Sequence, residues 1–392
     1  MNTKIEIPSH IKTVIEYLKS CGFEVFCVGG CVRDSILNTI PYDWDLCTNA
    51  KPYEMIEIFK NKFKFYDTGI KHGTISVIIN KKVVEVTTYR SESTYNDSRH
   101  PDEVKFISSI FEDLKRRDFT MNSIAYSDEK GIVDPFFGLN DIKNRIIRCV
   151  GDPYERFNED ALRIMRALRF SSVLDFKIEE NTMAAIKALY KNLDIISNER
   201  IEAELSKLLI GKTAGDIITE YSEVFEYIFR LNLSSEFILS VNKLPKFLDV
   251  RLGVLLHNHS GNKIKASLSF LKFPAKTIKN VICITEILNH KDFNKKIIKY
   301  MLSKYEEEIV NLGLTAYDII NNTKHTETLD EILKNRECYS VKQLRISGND
   351  LKNMGFDGKK TGAILNDILQ NVIDERLNND YDSIIKYIEK NY

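Results

Sequence analysis

The sequence has a single tryptophan, eight prolines and no Cys-x-x-Cys pair among its seven cysteines. An odd number of unpaired-looking cysteines argues against a disulfide framework or a structural zinc site, and for reduced thiols in a cytoplasm. No run of about 18 apolar residues occurs, so nothing in the chain reads as a membrane-spanning helix. The first twenty residues lack the charged-then-apolar pattern of a secretion signal and read as an amphipathic helix. Excess charge is missing too, because 56 basic residues balance 56 acidic ones. Overall charge therefore does not announce a nucleic-acid partner, although an average can hide a local patch.

What is present divides the chain. At 392 residues it is too long for one ordinary domain. The first third alternates strand and helix signals. Apolar "FEVFCVGG" ends in a glycine pair, "VRDSILN" reads as a short helix, and "DWDLCT" as a second strand. "HGTISVIIN" and "KVVEVTTYR" alternate and are rich in β-branched residues, which predicts a hairpin turning near Lys81. The polar stretch "SESTYNDSRHPDE" follows as a loop. Beyond about Asp141, strand signals nearly vanish and apolar residues recur at three- and four-residue spacing to the C-terminus. The expected fold class is α+β, a small mixed-sheet head followed by an all-helical remainder.

The chemistry concentrates in the head. Gly29 and Gly30 end a strand and open a helix, where backbone N–H groups are free to approach an anion. Arg33 then adds a planar fork suited to phosphate. Asp43 and Asp45, two apart in a strand-like segment, share a face and present two carboxylates. Hard oxygen ligands of this kind suit Mg²⁺, which keeps room for substrate phosphates. Glu85, between Val84 and Val86, supplies a third carboxylate or an orienting base. Alone, an Asp-x-Asp is usually a turn and a Gly-Gly a tight bend. The ordered combination strand, Gly-Gly, helix, Asp-x-Asp, strand points to phosphoryl transfer.

Four further stretches carry a resemblance. With "GGCVRDSILNTIPYDWDLCT" stand "RRDFTMNSIAY" at 116–126, "DPFFGLND" at 134–141 and "RFNEDALRIMRALRF" at 156–170. Together they resemble the class II tRNA nucleotidyltransferases, the CCA-adding enzymes and their poly(A) polymerase relatives. The C-terminal "ISGNDLKNMGFDGKKTGAILNDIL" is similar to the tail of the bacterial form without an appended phosphohydrolase domain. The resemblance implies a polymerase-β-like head at 1–141, a helical neck at 142–214, a body at 215–335 and a tRNA-binding tail at 336–392. It implies Asp43 and Asp45 as ligands of Mg²⁺ and Glu85 as the third acid. Gly29, Gly30 and Arg33 would touch the triphosphate, and Arg117 and Asp118 phosphate or ribose. Glu159, Asp160 and Arg163 would read the base, with Arg166 and Arg169 completing a cationic surface. The implied partners are tRNA, CTP and ATP, with no membrane and no obligatory protein partner.

A physical argument supports the base-reading motif. On a continuous helix Asp160 and Arg163 would share a face. Ionised Asp only accepts hydrogen bonds and Arg only donates them. Cytosine and adenine each offer an amino donor beside a ring acceptor, whereas uracil and guanine reverse the pattern. An Asp–Arg pair therefore discriminates without a nucleic-acid template. On this reading the helix is too regular to rearrange by itself. The loop from Arg90 to Val104, with Arg99 and His100, is then the expected switch between C and A addition.

Three features stay open. Ten lysines against two acids between Gly261 and Lys304 form either a solvated face or a surface for RNA phosphate. His257 and His259 read as solvent-facing residues at a helix end rather than a metal pair. Gly348, Gly355, Gly358 and Gly362 suit RNA approach and a plain helix–turn–helix equally.

Overall fold

The computed structural model describes residues 4–92, 104–233 and 235–392. The chain forms two compact units, Met1–Thr213 and Ala214–Tyr392.

The first unit begins with α1 (Ser9–Ser20), whose Ile11, Val14, Ile15 and Leu18 are buried. β1 (Val25–Val28) is buried at all four positions, as a central strand covered on both faces must be. Then come α2 (Gly30–Ile36), β2 (Asp45–Thr48), α3 (Pro52–Phe59), β3 (Lys64–Tyr66), β4 (Thr74–Ile79) and β5 (Lys82–Thr88). The β4–β5 hairpin turns on Asn80 and Lys81, with φ of 51° and 63°. Two successive positive φ angles match the twist of the strands they join. A two-stranded ribbon follows, β6 (Arg90–Glu92) with β7 (Val104–Phe106), then α4 (Ile110–Lys115), β8 (Ala125–Ser127), β9 (Gly131–Val133) and α5 (Gly138–Asn144).

Seven strands form one sheet in the order β3-β4-β5-β2-β1-β8-β9. Among the described residues of this sheet only β2 and β5 pair in parallel. Their register matters most, because Asp45 stands opposite Glu85. Strand alternation thus delivers an acid from each of two neighbouring strands to one end of the sheet.

The unit continues with β10 (Ile146–Ile147), α6 (Pro153–Glu159), α7 (Leu162–Leu174), β11 (Lys177–Ile178), α8 (Glu180–Leu189) and α9 (Asn198–Leu209). Here the structure corrects the expected continuous helix. α6 stops at Glu159, and Asp160 has extended backbone, φ −145° and ψ 102°. The Asp160 side chain accepts a hydrogen bond from the Leu162 N–H at 3.0 Å. Aspartate competes for backbone donors and favours such helix starts over helix interiors, so it breaks the periodic run.

The second unit contains α10 (Ala214–Glu220), α11 (Ser222–Phe229), α12 (Ser235–Ile238), α13 (Leu248–Leu256), α14 (Gly261–Phe270), α15 (Ala275–Leu288), α16 (Lys295–Lys304), α17 (Glu307–Asn321), α18 (His325–Lys334), α19 (Gly348–Asn353), α20 (Gly358–Ile373) and α21 (Tyr381–Asn391). No strand occurs among its described residues. A separate apolar cluster built on Leu351, Ile364, Ile368, Ile384 and Ile388 holds α19, α20 and α21. No helix among the described residues is long and apolar enough to cross a membrane.

Candidate active site

Asp45 is the first residue of β2 and Asp43 lies just before the strand, outside it. Buried Trp44 between them turns inward, which leaves both acids outward and accessible. Glu85 faces them across the parallel pair. Burial by surrounding protein, the Asp43 charge and the Glu85 charge push the Asp45 carboxyl up to about 6, with Arg117 pulling the other way. Like-charge repulsion and partial desolvation thus act together on Asp45. Among the described residues no three His, Cys, Asp or Glu groups stand closely enough to grip a metal ion as they are. The donor set nonetheless fits a divalent hard cation: three carboxylates near one another, mutually repelling and short of positive charge.

Gly29 has φ 77° and ψ −128°, a conformation side chains rarely tolerate. A Cβ there would stand 3.2 Å from Nη1 of Arg117, so the glycine also makes room for that guanidinium. Arg117 donates from Nη2 to Asp113 Oδ2 at 3.2 Å, while its buried Nε has no protein partner. Arg33 is 8% exposed and donates to Asp34 Oδ1 at 2.8 Å and Asn122 Oδ1 at 2.6 Å. Gly30 is the first residue of α2, beside the Arg33 guanidinium. A cavity of about 900 Å³ opens beside Asp43, between the N-terminal segment and the start of β5, with fully exposed Ile40 and Tyr42 among its lining residues.

The α6–α7 segment forms the opposite kind of site, rich in arginine and closely paired. Glu159 accepts from Arg156 at 2.7 Å and from Arg163 at 2.6 Å. Asp160 and Arg163, expected to face a base together, each meet a protein partner here. Asp160 meets Nη2 of Arg200, on α9, at 3.1 Å. Arg163 is 7% exposed and also donates to the carbonyls of Arg156 and Arg116, both at 3.1 Å. Asp118 takes Arg166 through Nε at 2.8 Å and Nη2 at 2.6 Å. Burial works against the Asp118 charge, but Arg166, Asn122 and Arg163 outweigh it and hold the carboxyl down at about 2. Arg169 pairs with buried Glu204 at 2.9 Å. The Arg33, Arg166 and Arg169 guanidinium carbons lie 5.1, 5.4 and 4.0 Å from the centre of the Phe170 ring.

Sequence reasoning missed Asp113, Asn122, Phe170, Arg200 and Glu204. Arg200 and Glu204 carry the i, i+4 spacing of an ordinary helix pair, and Asn122 and Phe170 lie inside stretches that carried the resemblance. Residues 93–103, including Arg99 and His100 of the expected switch loop, lie outside the described residues. The histidine reading is corrected in part. His257 is 6% exposed, hydrogen-bonded to the Val254 carbonyl at 2.8 Å and packed on Phe237, because the end of α13 is covered by protein. The lysine stretch is less free than its composition suggests. Lys276 pairs with Glu306, Lys295 with Glu331 and Glu337, and 6%-exposed Lys299 with Glu337, while Lys296 donates to the Asp374 carbonyl.

A mixed sheet with paired acids at one end, beside a glycine turn and two phosphate-competent arginines, defines a nucleotidyltransferase head. Comparison with known proteins agrees. Residues 25–148 match the poly A polymerase head domain, 175–229 the probable RNA and SrmB-binding site of polymerase A, and 252–388 the putative tRNA nucleotidyltransferase domain 2. The chain is 36% identical to the CCA-adding enzyme of Enterococcus faecalis, over 98% of this chain and 97% of that one. It is 35% identical to that of Ligilactobacillus salivarius, with the same coverage. The crystal structure of the Bacillus stearothermophilus CCA-adding enzyme in complex with CTP superposes with a TM-score of 0.82 at 29% identity, covering 97% of this chain and 96% of that one. The chain belongs to the family of CCA-adding tRNA nucleotidyltransferases.

Proposed function

We infer that the protein adds C, C and A to the 3′ end of tRNA from CTP and ATP, with no nucleic-acid template. The observation that carries this is the pairing of Asp45 with Glu85 across parallel strands, beside Asp43, in a chain alike over its whole length to CCA-adding enzymes. The head is assigned to residues 1–141, the neck to 142–214, the body to 215–335 and the tail to 336–392, in a cytoplasmic enzyme.

Asp43 and Asp45 would hold Mg²⁺, with Glu85 as the third acid. Bound there, Mg²⁺ would supply charge neutralisation at the phosphates and a more acidic RNA hydroxyl. The 3′ hydroxyl of the RNA gives its proton to solvent as its oxygen bonds to the α-phosphorus of the nucleotide, the bond from that phosphorus to the bridging oxygen breaks, and pyrophosphate leaves. Arg117 and Arg33 meet the triphosphate where Gly29 and Gly30 bring the backbone close, and Asp118 holds Arg166 toward the same charge. The cavity beside Asp43 leaves room for the RNA end.

Asp160 accepts from the amino group of cytosine or adenine, and Arg163 donates to the neighbouring ring nitrogen. Arg163 must then exchange a present partner for the base; Glu159 would keep Arg156 as a partner if Arg163 left it. Arg166 and Arg169 complete the cationic wall.

The test is direct. A tRNA lacking its 3′ end is incubated with Mg²⁺ and each nucleotide, singly and together, and the products are sequenced. Complete CCA ends with CTP plus ATP support the reading. Products that stop at CC, or extension only of tRNA already ending in CC, overturn it in favour of a partial-activity relative.

A further inference from the structure

We propose that Asp113 is a positioning residue that holds the phosphate-facing Arg117 and the base-reading Arg163 in one register. This rests on the function inferred above and adds a residue that sequence reasoning did not select.

Asp113 lies on α4 and is fully buried. Its spacing to Arg116 and Arg117 is i+3 and i+4, so one helical turn brings both guanidinium groups back to a single carboxylate. Oδ2 accepts from Arg117 at 3.2 Å. Oδ1 accepts from Arg116 through Nε at 3.0 Å and Nη2 at 2.9 Å. Oδ1 also accepts from the backbone N–H of Arg90, at the start of β6, at 3.2 Å. One carboxylate thus joins three pieces of the site.

Each piece leads somewhere different. Arg117 carries the phosphate side, because its Nη1 fills the space beside Gly29 and its Nε is buried without a protein acceptor. Arg116 carries the base side, because its carbonyl accepts from Arg163 Nη2 at 3.1 Å. Arg90 carries the edge of the β6–β7 ribbon. A buried carboxylate with four donors is costly to disturb, since losing its charge strands two guanidinium groups. It therefore behaves as a fixed post. The distance between phosphate and base in one bound nucleotide has to match the distance between Arg117 and Arg163, and Asp113 sets that distance from behind.

The residue touches no substrate, so its effect on the phosphate side must run through Arg117 and its effect on the base side through Arg116 to Arg163. That makes the test a double-mutant cycle. CTP affinity is measured by calorimetry without RNA, and KM for CTP and for tRNA in the addition assay. Asp113→Asn is expected to weaken CTP binding and raise its KM about tenfold or more, with KM for tRNA changed less than about twofold. In an Arg117→Ala background, Asp113→Asn is expected to lose most of its effect on CTP affinity, leaving the part that runs through Arg116 to Arg163. Asp113→Glu keeps the charge but moves it by one methylene; it should fold where Asn fails and show the same dependence on Arg117.

Equal effects with and without Arg117 overturn the proposal, as does KM for tRNA rising in step with that for CTP. So does a variant that melts earlier but, while folded, binds CTP as the wild type does. If wild-type protein binds CTP but does not extend tRNA, the functional reading fails on its own, and the calorimetric cycle still judges Asp113.

Discussion

The two charged clusters of the first unit are built on opposite plans. In the head, Asp43, Asp45 and Glu85 stand near one another with Arg117 as the positive charge that eases Asp45. In the α6–α7 cluster, Arg156, Arg163, Arg166 and Arg169 each find a carboxylate, from Glu159, Asp118 or Glu204. The same physics moves one acid up to about 6 and the other down to about 2. The head gathers like charges that repel one another, an arrangement a bound cation would relieve. The arginine cluster is complete already, and a nucleotide must displace something to enter it. On the proposed function, one half would supply affinity for charge and the other selectivity, because exchanging a good internal partner is worthwhile only for a base that pairs equally well.

The sharpest way to break this comparison is to remove an acid from each half. Asp43→Ala or Asp45→Ala should lower incorporation of both CMP and AMP by about a thousandfold or more, consistent with loss of a group essential to the transition state. Loss of one activity alone, in single-nucleotide assays, would mean that the steps use different centres. Asp160→Asn keeps an oxygen for the Leu162 N–H but gives up the charge. Discrimination against UTP and GTP should fall by about ten- to a hundredfold, as for a charged hydrogen bond of roughly 1.5–3 kcal/mol, with a smaller loss of rate. Retained strict specificity for C and A would assign base reading elsewhere.

Smaller effects come from the second unit. Lys263, Lys265 and Lys272 are exposed, unlike the paired lysines of α16. Reversing all three to Glu should raise KM for tRNA about tenfold and flatten its salt dependence, leaving KM for CTP alone. An unchanged KM at low salt would reduce the stretch to a solvated face.

The smallest effect separates the two acids by stability. Asp45 has a raised carboxyl, so its charge is unfavourable in the fold above about pH 6 and indifferent below about pH 4. Asp45→Asn should therefore raise the melting temperature of metal-free protein at pH 7.5 by about 2–4 °C, taking about 1 kcal/mol after discounting for exposure. The gain should vanish as pH falls to 4. Asp118 has the reverse sign. Its stabilisation of about 2 kcal/mol is present above pH 4 and lost as pH falls toward 2. Asp118→Asn should melt earlier at neutral pH, and a shift of the same sign in both variants would refute the contrast.

The head was legible in the sequence because its signals are local. Alternation gave the β4–β5 hairpin, and glycines marked the anion turn. The register that sets Asp45 opposite Glu85 was not legible, since parallel pairing joins strands some forty residues apart. Asp113 was missed for a related reason: an i, i+4 acid–arginine pair reads the same on a surface helix as in a buried site. The α6–α7 break was missed because apolar periodicity continues through it. The signal available was Asp160 itself, an aspartate two residues ahead of Leu162 and suited to capping the next helix. Composition misled most at α16, where Lys299 counts as surface charge in a sum and is buried in the fold.

That break has a mechanical consequence. A residue inside a helix has its backbone torsions fixed by hydrogen bonds on both sides, so its side chain moves only between rotamers. Asp160 sits at a joint, in extended backbone between two helices, with Arg200 holding its far oxygen. Its own backbone torsions belong to neither helix, so they can change while α6 and α7 remain whole. Cytosine and adenine place their amino groups at different distances from the sugar, and a rigid acceptor would suit one of them. If Asp160 reads the base as proposed, an acceptor at a joint between helices suits a pocket that takes the smaller base and then the larger.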